Sequence, residues 1–265
     1  MNEVIGQGHF ARKQIFCSSK LISWSHRRRF QIGLALARSF AGQTILDYGC
    51  GDGTFLALLM ESKDRPGCAV GAEIDERLVE DSQNRFASIP RLSFVRLKDL
   101  KTAEHAGRYD AVFCMEVLEH VVEIEPLLND FDRLLAPTGQ LLISVPVEIG
   151  LPIIIKQVVR RIAGWRGLGD YPGTSPYSVS ELWASVFARE RQHIKRPLHR
   201  QPDGSAFYDH KGFNWKLLRK KIGQRFKLLQ TVASPLTWLP PRWGSQVWFK
   251  AGPKTPSNHS SRKFN

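Results

Sequence analysis

The stretch ILDYGCGDGTF, residues 45–55, decides the fold of this chain. A run of β-forming residues ends at Tyr48, and three glycines follow at positions 49, 51 and 53 before an apolar, helix-forming segment. Glycines at such a turn let the backbone pass close beneath a ligand, while the N–H groups that open the helix face the ligand's anionic end. The G-x-G-x-G spacing is tighter than that of a dinucleotide-binding loop, so with Asp47 before it the loop favours a smaller zwitterion.

Strands and helices alternate on both sides of this loop. Predicted strands lie at 44–48, 68–73, 92–97, 109–115 and 140–146, and predicted helices at 10–40, 53–60 and 75–88, with a further helix beginning near Glu116. This order predicts an α/β, Rossmann-like, doubly wound parallel sheet. Two more predicted strands, 226–232 and 245–251, form a hairpin-like pair at the end, which distinguishes the chain from a plain dinucleotide-binding fold.

The pattern divides the chain into an N-terminal helical segment (1–43), a main domain (44–251) with an insertion at 147–210, and a polar tail (252–265) that we expect to be disordered. The insertion begins with an amphipathic helix whose apolar stripe is Leu151, Ile155, Val158, Ile162 and Trp165, with Lys156, Arg160 and Arg161 largely off it. Such a helix can lie on an anionic membrane or form a lid over an acceptor. A cover helix packed on the core is the favoured interpretation. Whether the helix is a lid or a cover, we expect the insertion to shape the acceptor site.

Charge and cysteine content limit the partners and the compartment. Lys and Arg number 38 against 25 Asp and Glu, a net charge of +13, which favours anionic partners such as RNA or an acidic membrane surface. The run from His26 to Arg29 contributes to this surplus. It could close over the ligand of the glycine loop from the N-terminal helix, but a solvated helix face is the favoured interpretation. Four scattered cysteines suit a reducing compartment, and no stretch has the length of a signal peptide or a membrane span, so we expect a cytoplasmic protein, with peripheral membrane contact as a candidate association.

Two acidic residues at strand ends extend the ligand site. Glu73 ends the second predicted strand, where a carboxylate can accept hydrogen bonds from both hydroxyls of a ribose. Asp99, after the third strand, is placed to meet an adenine edge. The alternative for each is capping of its own strand end, but their order after the glycine loop favours a nucleoside.

The ordered motifs ILDYGCGDGT, VGAEID, KDL, YDAVFCMEVLEHV and LLAPTGQLLISVP resemble those of class I S-adenosylmethionine-dependent methyltransferases over residues 44–146. The resemblance implies a seven-stranded sheet whose last two strands are antiparallel, with S-adenosylmethionine as the cofactor. It implies that the methionine part faces Asp47, Gly49 and Gly51, that the ribose faces Glu73, and that Ile74, Asp99 and Leu100 flank the adenine. Cys50 and Met115 complete the expected cofactor-binding set.

The stretch EVLEH, residues 116–120, follows the fourth predicted strand at the carboxyl edge of the sheet. If a helix begins near Glu116, then Glu116, Glu119 and His120 share one face. Two carboxylates and an imidazole there form a partial site for a divalent ion such as Mg²⁺ or Mn²⁺, which could lower the pKa of an acceptor hydroxyl. The alternative is an acidic first helical turn stabilised by the helix dipole; without a metal, His120 is the candidate general base.

Two further resemblances concern this stretch. CMEVLEHV is similar to the corresponding part of the ubiquinone-biosynthesis O-methyltransferases and of the small-RNA 2′-O-methyltransferases. FYDHKGFNW (207–215) resembles a D-H-K-F-E-W stretch of the small-RNA enzymes, which implies His210 as a fourth metal ligand, although Gly212 is inserted and Asn214 replaces an acid. The leading hypothesis is O-methylation of a small-molecule or lipid- or sugar-type acceptor. The alternatives are RNA 2′-O-methylation and a non-catalytic nucleoside-binding or membrane-associated partner protein.

Overall fold

The computed structural model describes residues 2–165, 175–200, 204 and 206–254. Its strands are β1 (Thr44–Tyr48), β2 (Cys68–Glu73), β3 (Leu92–Arg96), β4 (Tyr109–Met115), β5 (Leu135–Pro146), β6 (Leu198–Arg200), β7 (Ala206–Tyr208), β8 (Phe226–Ser234) and β9 (Gln246–Pro253). Its helices are α1 (Asn2–Gly6), α2 (His9–Gln14), α3 (Lys20–Ala37), α4 (Thr54–Glu61), α5 (Glu76–Arg85), α6 (Ile124–Leu134), α7 (Pro152–Trp165), α8 (Val179–Val186) and α9 (Trp215–Arg225).

Seven strands form one sheet in the order β3-β2-β1-β4-β5-β9-β8. Strands β1 to β5 pair in parallel, and β9 pairs antiparallel with both β5 and β8. The predicted seven-stranded, doubly wound sheet with an antiparallel last pair is confirmed. The chain reverses its direction of travel across the sheet between β1 and β4, and the cleft at the carboxyl ends of these strands is where such folds bind ligands.

Alternate residues of the central strands bury opposite faces of the sheet, as the two-residue period of a strand requires. Ile45 packs on one side with Phe55 and Trp248, whereas Leu46 packs on the other with Phe131. Both faces of the sheet are covered, so β1 and β4 carry apolar side chains on both sides. These buried strands hold the loops at their carboxyl ends in fixed positions.

The predicted helix beginning near Glu116 is wrong. Residues 116–123 form an irregular turn, and α6 begins only at Ile124. Glu116 has a φ of 57°, in the left-handed region that an α-helix excludes, and the N–H of His120 donates to the carbonyl of Val117 as in a single tight turn. The shared face expected for Glu116, Glu119 and His120 is therefore not a helical face.

The other differences lie at the ends of elements. The helical segment predicted at 10–40 is interrupted between Gln14 and Lys20. Strand β9 continues to Pro253, so the first residues of the predicted tail belong to the sheet, whereas residues 255–265 lie outside the described part of the chain.

The insertion contains α7, α8 and the antiparallel pair β6–β7. The expectation that α7 packs its apolar stripe on the core is wrong for the described part of that stripe: Leu151, Ile155 and Val158 are exposed, and Ile153 is buried instead. The side chains of Ile162, Trp165, Arg160 and Arg161 lie outside the described set. Among the described residues, no helix has both the length and the apolar character needed to span a membrane.

Candidate functional site

A cleft of about 1160 Å³ opens at the carboxyl edge of the sheet. Its walls come from the glycine loop after β1, the turn after β4, helices α2 and α3, and the insertion. The predicted cofactor residues that line it are Asp47, Gly49, Cys50, Gly51, Glu73, Ile74 and Met115.

Two predicted adenine neighbours do not line the cleft. Asp99 is bound by the guanidinium of Arg96, with Nε donating to Oδ2 at 2.9 Å, and Leu100 is buried in the core. The ion pair with Arg96 lowers the pKa of Asp99. Leu97, at the start of the same short helical turn, faces the cleft instead.

The glycine loop is held so tightly that side chains are excluded from it. Gly49 and Gly51 have φ values of 75° and 57°, which favour glycine. A Cβ on Gly49 would lie 2.4 Å from Cγ2 of Val117, and one on Gly51 would lie 3.0 Å from the ring of Phe10. The loop therefore packs directly on the turn after β4 and on α2, so three chain segments meet at one end of the cleft.

Asp47 is a buried carboxylate that faces the cleft. It is 1% exposed, and neither of its oxygens has a hydrogen-bond partner within the described part of the chain. Burial and the nearby Glu73 carboxylate raise its pKa to about 8, and Arg29 opposes this shift. A carboxylate so placed fits a cationic ligand group, such as the ammonium of a methionine moiety.

Glu73 braces the loop and still faces the cleft. The N–H of Gly51 donates to Oε2 at 2.8 Å, and the N–H of Ile74 donates to Oε1 at 2.7 Å. The N–H of Asp75 also donates to Oε1 at 3.3 Å. Each carboxylate oxygen offers about two lone pairs, so the remaining capacity for a hydroxyl donor lies on Oε2. Capping and ligand binding are thus compatible roles for Glu73.

Arg29 is a cleft residue, although the favoured interpretation of its basic run was a solvated helix face. Its side chain is buried, its Nη2 donates to Oε1 of Gln14 at 2.7 Å, and its Nη1 lies 3.8 Å from Oε2 of Glu116. The expected solvated face is therefore wrong for this residue. Its position agrees with the alternative interpretation, in which this run closes over the ligand from the N-terminal helix. His26 also lines the cleft, and burial followed by the charge of Arg29 lowers its pKa to about 3.

Glu119, His120 and His210 form a cluster whose ligand atoms all lie within 4.8 Å of one another. Oε1 of Glu119 is 3.7 Å from Nδ1 of His210 and 4.0 Å from Nε2 of His120. Glu119 is fully buried, and neither of its oxygens has a hydrogen-bond partner among the described residues. Burial and the nearby Glu116 raise the pKa of Glu119 well above its usual range.

The orientation of His120 leaves one ring nitrogen available. Its Nδ1 lies 2.7 Å from the carbonyl oxygen of Tyr208, so Nδ1 carries the proton and donates, and the lone pair is on Nε2. A carbonyl that fixes the tautomer in this way is the usual outer partner of a metal-binding histidine. The cluster thus offers one carboxylate and two imidazoles, a donor set that suits Mn²⁺ or Zn²⁺ better than Mg²⁺, which prefers oxygen ligands.

Glu116, the fourth predicted metal ligand, is not part of this cluster. The hydroxyl of Ser144 donates to its Oε1 at 3.1 Å, and its Oε2 faces Arg29. The left-handed backbone at Glu116 turns its side chain away from the direction that a helix would give it. The structure therefore brings together three of the four predicted ligands.

The charge of the cleft differs from that of the whole chain. The described residues on its wall include seven carboxylates but only two residues of fixed positive charge, Arg29 and Lys156. The carboxylates are Asp47, Asp52, Glu73, Glu116, Glu123, Asp130 and Glu148. The net charge of +13 therefore resides mainly outside the cleft.

Comparisons of sequence identify related proteins. A family model described as a methyltransferase domain matches residues 23–195. The ubiquinone biosynthesis O-methyltransferase of Psychrobacter arcticus is 30% identical over 156 residues, 57% of this chain and 58% of that protein. The protein of the same name from Xanthomonas oryzae pv. oryzae is 33% identical over 129 residues, 46% of this chain and 52% of that protein. The chain thus spans little more than half the length of these curated relatives.

Comparisons of structure agree on the fold. The PH0226 protein of Pyrococcus horikoshii superposes with a TM-score of 0.57 at 14% identity, covering 92% of this chain and 96% of that one. A SAM-dependent methyltransferase from Aquifex aeolicus gives a TM-score of 0.52 at 11% identity, covering 96% and 98%. At these identities the likeness is one of fold.

Proposed function

The chain belongs to the class I S-adenosylmethionine-dependent methyltransferases, and on this premise we propose that it transfers the methyl group of S-adenosylmethionine to a hydroxyl oxygen of a small-molecule acceptor. The observation that carries the proposal is the cluster of the buried Glu119 with His120 and His210, two histidines that line the same cleft as the expected cofactor residues. O-methylation is also what the names of the curated relatives state for those proteins.

The cofactor fits the residues on the cleft wall. The ammonium of its methionine part would pair with the Asp47 carboxylate, and its carboxylate would face Arg29 and the N–H groups of the glycine loop. Glu73 would accept hydrogen bonds from the ribose hydroxyls. Ile74 and Leu97 offer apolar surface to the adenine. The unpartnered oxygens of Asp47 are the clearest support for this orientation.

A divalent cation fits the cluster next to this position. When bound, such an ion would act as a Lewis acid that lowers the pKa of an acceptor hydroxyl. Glu119 and His120 would hold it from the turn after β4, and His210 from the insertion. The Tyr208 carbonyl keeps Nε2 of His120 free for the ion. The role of His120 as a general base without metal stays a prediction.

Contact between two loops would align the reactants. Val117, two residues before Glu119 of the metal cluster, packs against Gly49 of the cofactor loop. Because these two loops are in contact, the acceptor oxygen and the sulfonium would lie at the same end of the cleft. Methyl transfer is an in-line displacement: the C–O bond forms as the C–S bond breaks, S-adenosylhomocysteine leaves with the electron pair, and the hydroxyl proton is released. Fixed positioning of this kind accounts for a large part of such rate accelerations.

The acidic wall of the cleft favours a neutral acceptor over a polyanion. With Asp47 set aside because its pKa is raised to about 8, six carboxylates face two fixed cations and repel a phosphate chain at short range. Ile155 and Phe207 add apolar surface on the insertion side, which suits a ring or an alkyl part. RNA remains the second candidate, because His210 of the FYDHKGFNW stretch joins the cluster as the likeness to small-RNA enzymes implies.

A lipid-type acceptor would be reached from a membrane surface, and we propose peripheral contact of α7 and α8 with an anionic bilayer. Val179 and Trp183 of α8 and Phe187 immediately after it are spaced at four-residue intervals and are 75%, 53% and 71% exposed. Exposed basic residues follow at 189, 191 and 195. Helix α8 packs against α7, whose exposed Ile155 also lines the cleft, so the apolar surface adjoins the cleft.

A methyl-transfer assay separates these candidates. The protein is incubated with methyl-labelled S-adenosylmethionine, with or without Mn²⁺, and with phenols, sugars, a lipid extract or RNA oligonucleotides. We expect label in a hydroxyl-bearing small molecule or lipid, with loss of labelling on chelation. Label at an RNA ribose would favour the second candidate, and absence of both label and cofactor binding would favour the non-catalytic hypothesis.

A further inference from the structure

Arg196, in the segment between α8 and β6, connects the two chain segments that supply the metal cluster. Its Nη2 donates hydrogen bonds to two backbone carbonyls, that of Glu119 and that of Asp209, the latter at 2.6 Å. These carbonyls belong to the peptide bonds that lead into His120 and His210. A single nitrogen atom therefore fixes the peptide planes that precede both histidines of the cluster.

Aromatic packing holds the guanidinium in place. Its central carbon lies 4.5 Å from the ring centroid of Tyr208 and 5.1 Å from that of Phe213. Burial lowers the pKa of Arg196 to about 10, so the side chain stays charged at neutral pH. The rings and the two carbonyls restrict the guanidinium to one plane, and its charge strengthens both hydrogen bonds.

Two backbone-level contacts join the same segments nearby. The N–H of Tyr208 donates to the carbonyl of His120 at 3.0 Å, and Nδ1 of His120 donates to the carbonyl of Tyr208. These contacts fix His120 against β7. Within the described part of the chain, the hydrogen bonds of Arg196 are the ones that join the Glu119–His120 peptide bond to the Asp209–His210 peptide bond.

We propose that Arg196 is a positioning residue that holds Glu119, His120 and His210 in the arrangement required for a divalent cation. The inference rests on the proposed function, since the cation belongs to that function. Arginine suits the role because it offers two protons on one nitrogen and a flat face that stacks between rings. A lysine would keep the charge but lose the flat face and the fixed fork.

The test is Mn²⁺ binding to the full chain, followed by electron paramagnetic resonance and calorimetry. Arg196→Met should weaken Mn²⁺ binding about tenfold or more, as loss of an outer-shell partner does, and Arg196→Lys should restore part of it. Arg191→Met, an exposed change of equal charge in the same segment, should leave Mn²⁺ binding unchanged. Affinity for S-adenosylhomocysteine should stay within about twofold in all variants, because Asp47 and Arg29 are untouched.

The possible results distinguish failure of the positioning role of Arg196 from failure of the proposed metal site. Native Mn²⁺ affinity and spectrum in Arg196→Met would overturn the positioning role and leave the proposed metal site intact. Failure of the unaltered protein to bind Mn²⁺ would overturn the metal site and the positioning role together, while cofactor binding would still test the methyltransferase assignment. If Arg196→Met does not fold, Arg196→Lys decides: a folded lysine variant with native Mn²⁺ affinity and spectrum overturns the inference.

Discussion

Nδ1 of His210 lies 3.7 Å from Oε1 of Glu119, although one residue belongs to the insertion and the other to the turn after β4. The turn after β4 thus supplies the carboxylate, and the insertion supplies an imidazole. The insertion also lines the acceptor side of the cleft. An ion bound between Glu119 and His210 would therefore attach the insertion to the core. Metal binding and completion of the acceptor site are therefore expected to be coupled.

Substitution of each of the two glutamates of EVLEH should show which of them binds the metal ion. Glu119→Gln should abolish measurable Mn²⁺ binding, because it removes the only carboxylate of the three-residue cluster. Glu116→Gln should cause a smaller loss, since that carboxylate faces Ser144 and Arg29. Calorimetric titration with Mn²⁺ measures both, and S-adenosylhomocysteine binding to Glu119→Gln shows that the cofactor end is intact. Equal losses in the two variants would restore the four-ligand site.

The sheet and the glycine loop could be predicted because their signals are local. The apolar run of β1 and the glycines after it have few alternative structures, and the order of motifs then gave the topology. The conformation of EVLEH could not be predicted in this way. An acidic stretch after a strand is typical of a helix start, but here the N–H of Glu116 donates to the carbonyl of Ser144 on β5, and Val117 packs on Gly49. Those tertiary contacts hold Glu116 at a positive φ.

The site itself was predictable in part. His210 was found through a motif that resembles a known one, and the structure places it 3.7 Å from Glu119. Arg29 was assigned to a solvated face because it stands in a run of basic residues. Sequence alone does not show that Arg29 is buried while Arg27 is exposed and Arg28 is half-buried. Asp99 does not line the cleft, and Arg96, three residues earlier, binds it at the surface.

Cofactor binding should release a proton through Asp47. Burial and Glu73 raise the pKa of this carboxyl to about 8, while Arg29 opposes the shift, and only the ionised form pairs with an ammonium. Affinity for S-adenosylhomocysteine should therefore rise about tenfold per pH unit below pH 8 and then level off. Calorimetry at pH 7 in two buffers of different ionisation enthalpy measures the proton released.

The empty protein should show the opposite pH dependence. A raised pKa means that the folded state binds more protons than the unfolded state, so the free energy of unfolding falls as the pH rises from about 4 to about 8. Asp47→Asn should remove this contribution and also the pH dependence of cofactor affinity. Asp64→Asn, an exposed carboxylate change in the loop after α4, should remove neither. An unchanged pH profile in Asp47→Asn would contradict the assignment.

Alanine substitutions at two glycines with nearly equal φ values should distinguish the cost of backbone strain from the cost of steric exclusion. Gly42 (φ 74°) has open space where a Cβ would lie, whereas a Cβ on Gly49 (φ 75°) would meet Val117. Gly42→Ala should cost only the left-handed penalty, about 1 kcal/mol. Gly49→Ala should cost about 1–3 kcal/mol more from overpacking and should weaken S-adenosylhomocysteine binding. Urea unfolding measures both, and equal losses would show that Val117 moves aside freely.

The exposed stripe on α8 should direct the protein to anionic bilayers. The unaltered chain should float with vesicles that contain phosphatidylglycerol, less at high salt, and not with vesicles of phosphatidylcholine alone. The double change Trp183→Ser and Phe187→Ser should abolish flotation without changing cofactor affinity. Leu229→Ser, an exposed apolar change on the edge strand β8, is the control. Flotation of the double variant equal to that of the unaltered chain would exclude this surface.

Asp52 connects the cofactor loop to the N-terminal helices, and its removal should affect both stability and cofactor binding. Its Oδ2 accepts from the N–H groups of Phe10 (2.7 Å) and Ala11 (2.9 Å) in α2, and its Oδ1 accepts from the N–H of Thr54 (3.2 Å) in α4. Asp52→Ala leaves these buried donors unpaired and should lower the free energy of unfolding by about 2–3 kcal/mol. Asp75→Ala, which removes an exposed cap of α5, should cost about 1 kcal/mol or less.

The same change should loosen α2 over the cofactor. Phe10 packs on Gly51, and Gln14 at the end of α2 accepts the hydrogen bond from Arg29, so release of α2 disturbs both the loop and the arginine expected to face the cofactor carboxylate. Asp52→Ala should therefore weaken S-adenosylhomocysteine binding about tenfold, whereas Asp75→Ala should leave it unchanged. Protease cleavage before residue 20 should become faster in Asp52→Ala and slow again when S-adenosylhomocysteine is saturating. If Asp52→Ala binds the ligand as tightly as Asp75→Ala does, α2 does not contribute to the cofactor site.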